Sequence, residues 1–280
     1  MPPRFILIGS TGFIGKSISR NFKRKLIKYN SKNLNLLKRS DIQKHAKKFQ
    51  SSTIIYAAGL KRTRGDNFKN FKTNLNLFNN LFQFFLKNTP KKIVFLSSAE
   101  VYGYYKGKKK ISEKTKINPM TNYSMAKVLQ ENIIKFFASK LGFKYLILRI
   151  PGVYGSDPEN QSIICKMVAA KNKKKFFQLN TSGSELRDYV YVDDLGKIIS
   201  SLSIKNLNNN IINISSGKSF KIKDIICYIE KSLKKKIYFK KVNSIKKNEY
   251  NLVYNNKKLK KYLPNFKFKY LNSFNFKQEF

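Results

Sequence analysis

The stretch GSTGFIG, Gly9 to Gly15, follows the short apolar run Phe5–Ile8 and precedes a segment whose apolar residues have helical spacing. Between a strand and a helix, three such glycines allow a tight turn, a close approach of the backbone to a pyrophosphate, and close packing of helix on strand. The N-terminus of the helix then faces the phosphates. The spacing is GxxGxxG, one residue longer at the first gap than the usual fingerprint. The stretch therefore predicts a dinucleotide-binding turn at the start of an α/β domain.

The alternation of short apolar runs with helical patterns indicates how the rest of the chain folds. In the first half, we expect strands at residues 5–8, 34–37, 53–57, 93–97 and 145–150, and helices at about 12–26, 66–87 and 121–141. In the second half, we expect a strand at 211–214 and helices near 161–171, from 193–194 and from about 223. Such βαβ alternation implies a parallel sheet with right-handed crossovers. We predict an α/β protein with a Rossmann-like doubly wound parallel sheet over residues 1–155, to which a segment at about 187–217 returns, and a smaller C-terminal substrate-binding part over residues 156–280.

The formal net charge of +43 comes from 58 lysines and arginines against 15 acidic residues. Such a charge can indicate binding to nucleic acid or to a membrane surface. Only eight of these basic residues are arginine, however, and the lysines run along the whole chain among many asparagines. This diffuse lysine favours a solvated basic surface, so we expect neither nucleic acid nor membrane as a partner. Arginines clustered with exposed aromatic rings would indicate nucleic acid instead.

The cysteines and the histidine suggest no chemistry of their own. Cys165 and Cys227 lie in apolar, helix-like surroundings without a CxxC motif, and we expect them to be reduced core residues of a cytoplasmic protein. His45 is the single histidine and lies among lysines, so no metal site is predicted. No apolar run approaches the roughly 20 residues needed to span a bilayer, and the run at the start is too short for a signal peptide.

The choice between the two nicotinamide dinucleotides depends on the end of the second expected strand. An Asp or Glu roughly 20 residues beyond the glycines usually binds the ribose 2′-hydroxyl of NAD. This chain has no acidic residue before Asp41, and Lys38 and Arg39 follow the apolar run at 34–37. A guanidinium suits the extra phosphate of NADP. We therefore expect NADP or NAD as the cofactor, with NADP favoured by Arg39.

A tyrosine followed four residues later by a lysine places both groups on one helical face, where the ammonium lowers the tyrosine pKa from about 10. Five such pairs occur among the 16 tyrosines, beginning at Tyr102, Tyr104, Tyr105, Tyr123 and Tyr254. The first three lie in a lysine-rich loop, and the last lies in the tail. Only Tyr123 opens a convincing helix and follows a strand that ends in hydroxyls, SSAEVYG, which contains Ser98. We predict that Tyr123 and Lys127 form the catalytic pair.

Five motifs in this order, GSTGFIG, SSAEVYG, YSMAK, LRIPGVYG and RDYVYVDDL, resemble the extended short-chain dehydrogenase/reductase superfamily. Within it, the chain is similar to the NAD-dependent epimerase/dehydratase family, whose enzymes act on nucleotide-sugars. The likeness runs from about Phe5 to Gly217. It implies that Tyr123 is the catalytic acid/base, that Lys127 lowers its pKa and holds the nicotinamide ribose, and that Ser98 orients the sugar hydroxyl.

The resemblance also implies which residues bind the two ligands. For the cofactor it implies the glycine turn, a pair beside the adenine, the strand end flanking the dinucleotide and groups near the nicotinamide, namely Gly9, Thr11, Gly12, Phe13, Ile14, Gly15, Asp41, Ile42, Ala57, Ala58, Gly59, Asn74, Tyr123, Lys127 and Pro151. For the nucleotide-sugar substrate it implies Ser98, Glu100 and Arg187, the arginine at the diphosphate.

Departures from the family pattern narrow the expected reaction. Sugar 4,6-dehydratases resemble this region but place an Asp-Glu pair after the serine, where this chain has Ala99 and Glu100. Enzymes that also epimerise at C3 or C5 use a Cys and His pair, and His45 lies upstream of the site. We predict an NAD(P)-dependent 4-epimerase or 4-keto reductase that transfers a hydride at one carbinol carbon. A 4,6-dehydratase and a dinucleotide-binding regulator without turnover stay open as alternatives.

The segment from Asn74 to Asn88 is apolar on more than one side. One apolar stripe can face the sheet, and the remainder calls for a partner. Family members often pair this helix and the tyrosine helix with their mates in a four-helix bundle, so the resemblance implies a homodimer. A fully buried helix is the alternative.

Overall fold

The computed structural model describes residues 4–107, 109–156, 162–171, 176–241 and 250–280. Its strands are β1 Phe5–Ile8, β2 Leu26–Tyr29, β3 Thr53–Tyr56, β4 Lys92–Ser98, β5 Lys144–Ile150, β6 Gly152–Tyr154, β7 Phe177–Leu179, β8 Leu186–Tyr191, β9 Asn210–Asn213, β10 Ser219–Lys221 and β11 Phe239–Lys241. Its α-helices are α1 Phe13–Asn21, α2 Arg39–Phe49, α3 Phe68–Phe85, α4 Asn122–Leu141, α5 Ile163–Ala169, α6 Val192–Ile204, α7 Ile222–Leu233, α8 Lys257–Tyr262 and α9 Phe276–Glu279.

The chain divides into two compact units. The first unit comprises the segments Met1–Gly103, Ile117–Ile150 and Leu195–Ile212, and the second comprises Tyr104–Lys116, Pro151–Asp194 and Asn213–Phe280. In the first unit, a six-stranded sheet has the order β2-β1-β3-β4-β5-β9. Strands β1 to β5 pair in parallel. The α/β fold class predicted from the sequence is confirmed.

The core of the first unit explains why this sheet forms. Alternate residues of the central strands, such as Ile6, Ile54 and Phe95, are buried on one face of the sheet against helices α2, α3 and α4. Phe78 and Phe82 of α3 belong to the same cluster, and their ring centres lie 4.8 Å apart. Helices that cover a parallel sheet require such continuously apolar strands. The strand order reverses between β1 and β3, which is where doubly wound sheets bind their ligands.

Helix α4 has clear sequence signals at both ends. Thr121 caps its N-terminus in a capping box with Ser124, and each side chain accepts a hydrogen bond from the other residue's backbone N–H. Gly142 ends the helix in the left-handed conformation, at φ 73°. Both signals fix the helix boundaries by satisfying backbone groups that lack intrahelical partners. The tyrosine helix therefore begins one residue before Tyr123, close to the expected position.

The second unit contains a three-stranded sheet, β10-β8-β6, and a two-stranded pair, β11-β7. Asp188 on β8 is buried and accepts hydrogen bonds from the hydroxyls of Ser215 and Ser216. Burial raises its pKa to about 6, although these hydrogen bonds favour the carboxylate. This buried carboxyl ties the loop after β9 to the sheet.

Two sequence predictions about the first half were wrong. Residues 34–37 do not form a strand, and the second strand is β2 instead. Leu34 and Leu36 are buried, but they belong to the irregular segment that precedes α2. The first helix does not reach residue 26, because α1 ends at Asn21. Only Tyr29 of β2 is fully buried, so this edge strand lacks the apolar run that marks an interior strand.

The cysteines are also less buried than expected. Cys227 is exposed and Cys165 is only partly buried, so neither is a core residue. In the part of the chain that the structure describes, no helix has the length and hydropathy required of a membrane span.

Candidate active site

The glycine turn lies between β1 and α1, at the C-terminal edge of the parallel sheet. Gly9 has a φ of 93°, in the region that favours glycine. A Cβ on Gly15 would lie 2.0 Å from the carbonyl oxygen of Gly9, so this glycine is required for helix α1 to pack on the turn. The N–H groups of Gly9 and Ser10 both donate to the carbonyl oxygen of Tyr29, at 2.9 Å. The turn is therefore fixed to the end of β2.

Gly12 is the residue whose surroundings fit a dinucleotide. It is the N-cap of α1 and makes no side-chain capping bond. A Cβ built on it meets its nearest atom, the Gly9 carbonyl oxygen, only at 3.5 Å, so the protein itself leaves room above the backbone. Helix N-termini with exposed backbone are ready-made anion sites. Thr11 and Gly12 are exposed, and Phe13 is buried beneath them.

The end of β3 lies beside the glycine turn in the first unit. Ala57 donates its N–H to the carbonyl oxygen of Ile8 at 2.9 Å, next to the glycine turn. Ala58 and Gly59 follow, with Gly59 at φ 140°. Asn74 on α3 is buried, and its amide accepts from the N–H of Leu60 at 2.7 Å and donates to the Leu60 carbonyl at 3.1 Å. This pair of bonds fixes the loop after β3.

Arg39 is not at the end of the second strand, which removes the structural basis for its assignment to a 2′-phosphate. It begins α2, ten residues beyond Tyr29, and its guanidinium donates to the side chain of Gln83. Asp41 lies in the first turn of the same helix, and Ile42 is fully buried in the core. The residue that follows β2 is Asn30, whose side chain accepts from the N–H groups of Lys32 and Asn33 and caps a turn.

Ser98 is the last residue of β4 and caps the 3₁₀ turn that follows. Its hydroxyl accepts a hydrogen bond from the N–H of Glu100 at 3.1 Å. The Ser98 side chain also acts on the Tyr123 phenol and lowers its pKa. The strand end and the first turn of α4 thus bring together the two hydroxyls that the sequence predicted to act together.

Tyr123 is buried among charged groups, and its pKa is raised. Burial is the largest cause, the Glu100 carboxylate adds to it, and the Ser98 side chain and Arg62 oppose it. The family resemblance implied that Lys127 lowers this pKa instead. The net shift is upward because desolvation of the phenolate and the charge of Glu100 outweigh Ser98 and Arg62. Tyr123 is therefore a protonated phenol at neutral pH, as a proton donor requires.

Lys127 lies one helical turn after Tyr123 and is buried. Its ammonium donates to the carbonyl oxygen of Leu96 at 2.9 Å and lies 5.7 Å from the ring centre of Tyr123. Burial lowers the Lys127 pKa to about 8, and the charge of Glu131 on the next turn partly offsets that effect. A buried cation beside the phenol can stabilise the phenolate that forms when the proton leaves.

Sequence reasoning missed two residues at this site. Arg62 pairs with Glu100, with Nε to Oε2 at 3.2 Å, although both side chains are partly exposed. Asp66 accepts the backbone N–H of Tyr123 at 3.0 Å and so anchors the start of α4. Burial raises the pKa of Glu100, Arg62 opposes that rise, and Asp66 adds to it. The scarcity of acidic residues was the signal that could have identified Asp66.

Two residues assigned from the resemblance belong to the second unit. Pro151 follows β5 directly and is partly buried. Arg187 lies on β8, where its guanidinium contacts the carbonyl oxygen and the ring of Tyr250 and lies 3.9 Å from Glu185. The described residues contain no group of three or more side chains that could hold a metal ion.

A doubly wound parallel sheet with a glycine turn after β1 and a Tyr-Lys pair on α4 defines the class of short-chain dehydrogenase/reductase enzymes. The chain belongs to the NAD dependent epimerase/dehydratase family, whose model matches residues 5–215. It is 30% identical over 191 residues to the dTDP-4-dehydro-6-deoxyglucose reductase of Escherichia coli, an alignment that covers 66% of this chain and 58% of that protein. The chain spans about half the length of the curated relatives it matches, 50 to 58% for three of them.

Solved structures show the same fold at lower identity. The UDP-glucose 4-epimerase of Thermus thermophilus, in complex with NAD, matches with a TM-score of 0.84 at 19% identity over 96% of both chains. The dTDP-glucose 4,6-dehydratase DesIV of Streptomyces venezuelae, with NAD bound, matches with a TM-score of 0.81 at 17% identity, over 95% of this chain and 92% of that one. These neighbours catalyse different reactions on one scaffold, so the fold leaves the reaction open.

Proposed function

We propose that the chain binds a nicotinamide adenine dinucleotide at the glycine turn and acts on one carbinol carbon of a nucleotide-sugar, as a 4-epimerase or a 4-keto reductase. The observation that carries this proposal is that the end of β4 brings the Ser98 hydroxyl to the Tyr123 phenol, with buried Lys127 one turn further along the same helix. This arrangement is a general acid/base with an orienting hydroxyl and a buried cation.

Each of these residues has a distinct role in the proposed reaction. Ser98 orients the reacting hydroxyl or carbonyl of the sugar toward Tyr123. The Tyr123 phenol passes the proton to or from that oxygen, a step worth about 10²–10⁴ in rate. Lys127 favours the phenolate while the proton is away and contacts the nicotinamide ribose. The dinucleotide, when bound, supplies hydride acceptance and donation at the sugar carbon.

The carboxylate of Glu100 bears on the choice between reactions. It is paired with Arg62, whose charge only partly offsets the rise in pKa that burial causes. The residue before it is Ala99, so this site offers one carboxylate after the serine. The absence of a second carboxylate there favours oxidation and reduction at one carbinol over loss of water. The 4,6-dehydratase is the second candidate because Glu100 lies close enough to act on Tyr123 electrostatically.

We propose NAD or NADP with little discrimination between them. The first forty residues contain no acid to bind a ribose 2′-hydroxyl, which was one of two reasons for favouring NADP. The other reason, Arg39, is lost because its guanidinium bonds to Gln83 on α3. The related structures of known complexes contain NAD. Neither an acid nor an arginine therefore selects one dinucleotide at the end of β2.

We propose that the second unit supplies the binding surface for the nucleotide-sugar and that Arg187 contacts its diphosphate. A guanidinium matches the geometry of phosphate oxygens. The Tyr250 ring, 4.8 Å from the Arg187 guanidinium carbon, would hold the side chain in place for that contact. Pro151 is proposed to border the nicotinamide, as the family pattern suggests.

We propose a homodimer that pairs helices α3 and α4. Three apolar side chains of α4, namely Met125, Leu129 and Phe136, are between 37% and 57% exposed. Their spacing of four and seven residues places them on one stripe of the helix. Such a stripe calls for a partner surface. Every residue in it lies in the first unit, whose opposite α4 face packs on the sheet.

The test of the function is a ligand screen followed by an activity assay. A ligand at about 100 times its Kd adds ~2.7 kcal/mol to the free energy of unfolding, which a thermal-shift assay detects. We expect a shift with NAD or NADP and a further shift with one class of UDP-, GDP- or dTDP-sugar. Product analysis by NMR then separates an epimer or a 4-hydroxy product from the 4-keto-6-deoxy product of a dehydratase. Absence of any dinucleotide shift would overturn the proposal, and binding without turnover would favour the regulator.

A further inference from the structure

A buried ion pair lies beneath the candidate catalytic groups. Glu131 on α4 and Arg149 on β5 have side chains that are 0% and 2% exposed. The guanidinium donates from Nε to Oε1 at 3.1 Å and from Nη2 to Oε2 at 2.7 Å, so the contact is bidentate. The Ser97 hydroxyl donates to the same Oε1 at 2.6 Å. A bidentate contact fixes both the distance and the orientation of its two partners.

This pair joins the elements that carry the site residues. Ser97 immediately precedes Ser98 at the end of β4. Glu131 follows Lys127 by one helical turn. Arg149 also donates a hydrogen bond from Nη1 to the hydroxyl of Tyr102 at 2.9 Å. Tyr102 belongs to the 3₁₀ turn that contains Glu100. One carboxylate is thus linked to the strand end, to the tyrosine helix and, through Arg149, to the turn.

Stability alone does not account for such a network. Burying two charges costs about as much as their attraction returns, so an apolar pair of similar volume is often as stable. A buried carboxylate also has an electrostatic effect that an apolar pair lacks. The charge of Glu131 raises the pKa of Lys127, which burial lowers. Around Lys127, its own helix presents Tyr123 and Glu131, strand β4 presents the Leu96 carbonyl and the Phe95 ring, and β5 presents Arg149 behind Glu131.

We propose that Glu131 is a positioning residue, whose buried carboxylate holds Ser98 and Lys127 in register with Tyr123 and keeps Lys127 charged. The inference rests on the proposed function, because it assumes that these three residues carry the reaction. Glu131 acts through its neighbours and makes no contact with substrate in this role. The network therefore links the strand that carries the orienting serine to the helix that carries the acid/base.

The test replaces the ion pair by apolar side chains of similar size in the double variant Glu131→Met with Arg149→Met. We expect the double variant to fold, with kcat for reduction lowered by about 10- to 100-fold, the cost of a small misplacement of reacting groups. We expect KM to change little. We expect the alkaline limb of the pH profile of kcat to move to lower pH, because Lys127 without Glu131 loses its proton at a lower pH. Glu131→Asp keeps the charge but shortens the arm, so it is expected to lower kcat without moving the limb.

A matched control is Lys92→Met, which removes another buried charge of the first unit away from the site. The Lys92 ammonium donates to the carbonyl oxygens of Ser203 and Lys205 at 3.2 and 2.8 Å. This variant is expected to lose stability but keep the pH profile of kcat. A double Glu131/Arg149 variant that keeps the unmutated kcat and pH profile would overturn the proposal. Loss of the fold in that double variant would do the same, because the pair would then be structural.

A second readout separates this inference from the proposed function. The pH dependence of dinucleotide binding reports the charge of Lys127 without any turnover. If dinucleotide binding weakens at a lower pH in the double variant than in the unmutated protein, the role of Glu131 is supported even if no sugar is converted. If the unmutated protein binds no dinucleotide, the proposed function fails first, and the positioning role falls with it.

Discussion

The ammonium of Lys127 donates a hydrogen bond of 2.9 Å to the carbonyl oxygen of Leu96, which ties helix α4 to the neighbouring strand β4. This contact places the Lys127 ammonium 5.7 Å from the ring centre of Tyr123. The acceptor residue, Leu96, lies two residues before Ser98, which ends the strand. A backbone acceptor on an interior strand is rigid, so the lysine has little freedom to move away. The candidate acid/base is therefore supported by the sheet as well as by its own helix.

Tyr123→Phe is expected to abolish most of the turnover. The change keeps the ring and its packing but removes the group that passes the proton, so the rate is expected to fall by about 10²–10⁴. Binding of the dinucleotide is expected to be nearly unchanged. The measurement is single-turnover absorbance of the reduced nicotinamide. Tyr102→Phe is the comparison and is expected to lower the rate much less, because it removes a hydrogen bond to Arg149 and no proton-transfer group. Retention of more than about a tenth of the rate would show that the tyrosine is wrongly assigned.

Lys127→Met is expected to weaken both dinucleotide binding and turnover, because it removes a proposed ribose contact and the charge that favours the phenolate. The pH profile gives a second check. The Lys127 pKa is about 8, so the ammonium is charged below that pH and neutral above it. In the reductive direction, the Tyr123 phenol stays protonated through this range because its pKa is raised. The rate is expected to fall as pH rises through about 8, and a flat profile would contradict the role of Lys127.

The glycines of the turn are expected to separate binding from stability. Gly12→Ala adds a methyl group at a place where the nearest protein atom is 3.5 Å away, so the fold is expected to persist while the dinucleotide loses its close approach. Gly15→Ala would place its Cβ 2.0 Å from the Gly9 carbonyl oxygen, so the unfolding temperature is expected to fall. Thermal denaturation with and without dinucleotide measures both effects. Normal binding by Gly12→Ala would place the pyrophosphate elsewhere.

Arg39→Asp is expected to leave the ratio of the NADH and NADPH dissociation constants unchanged, because its guanidinium bonds to Gln83 instead of lying at the end of β2. In the unmutated protein, the two constants are expected to lie within about tenfold of each other, since a dedicated charged contact worth roughly 1.5–3 kcal/mol would separate them further. Fluorescence titration measures both constants. A strong NADPH preference that disappears in Arg39→Asp would restore the interpretation made from the sequence.

Phe136→Glu is expected to convert the proposed homodimer into a monomer, because it places a charge in the exposed apolar stripe of α4. Light scattering at working concentration gives the mass. The matched control is Phe239→Glu in the second unit, which is also exposed, at 39%. A monomeric mass for the unmutated protein would contradict the proposed dimer directly. Equal dissociation by both variants would place the interface elsewhere.

The sequence predicted the interior of the fold better than its edge. Strands β1, β3, β4 and β5 are continuous apolar runs because helices cover both of their faces, and the sequence located each of them within a residue or two. Strand β2 is an edge strand with a lysine at its centre, so the more apolar segment at 34–37 was taken for it. The contact predicted between Arg39 and the 2′-phosphate of NADP followed from that misplacement, because it depended on where the second strand ended.

The candidate site was partly predictable for a similar reason. Ser98, Tyr123 and Lys127 lie at a strand end and on a helical face, and such positions follow from local spacing. The Arg62 to Glu100 pair and the Asp66 contact join segments far apart in the chain, and no local pattern specifies which partners meet. The direction of the Tyr123 pKa shift also depends on burial, which a single sequence does not give.

The side-chain amide of Asn74 exchanges two hydrogen bonds with the backbone of Leu60, in the way that a neighbouring strand would. The loop after β3 thus gains a substitute ladder partner from helix α3. We expect the amide proton of Leu60 to exchange with solvent at the slow rate of the buried helix that carries Asn74, and not at the fast rate of an exposed loop. Asn74→Ala would then release the loop after β3 without touching the sheet.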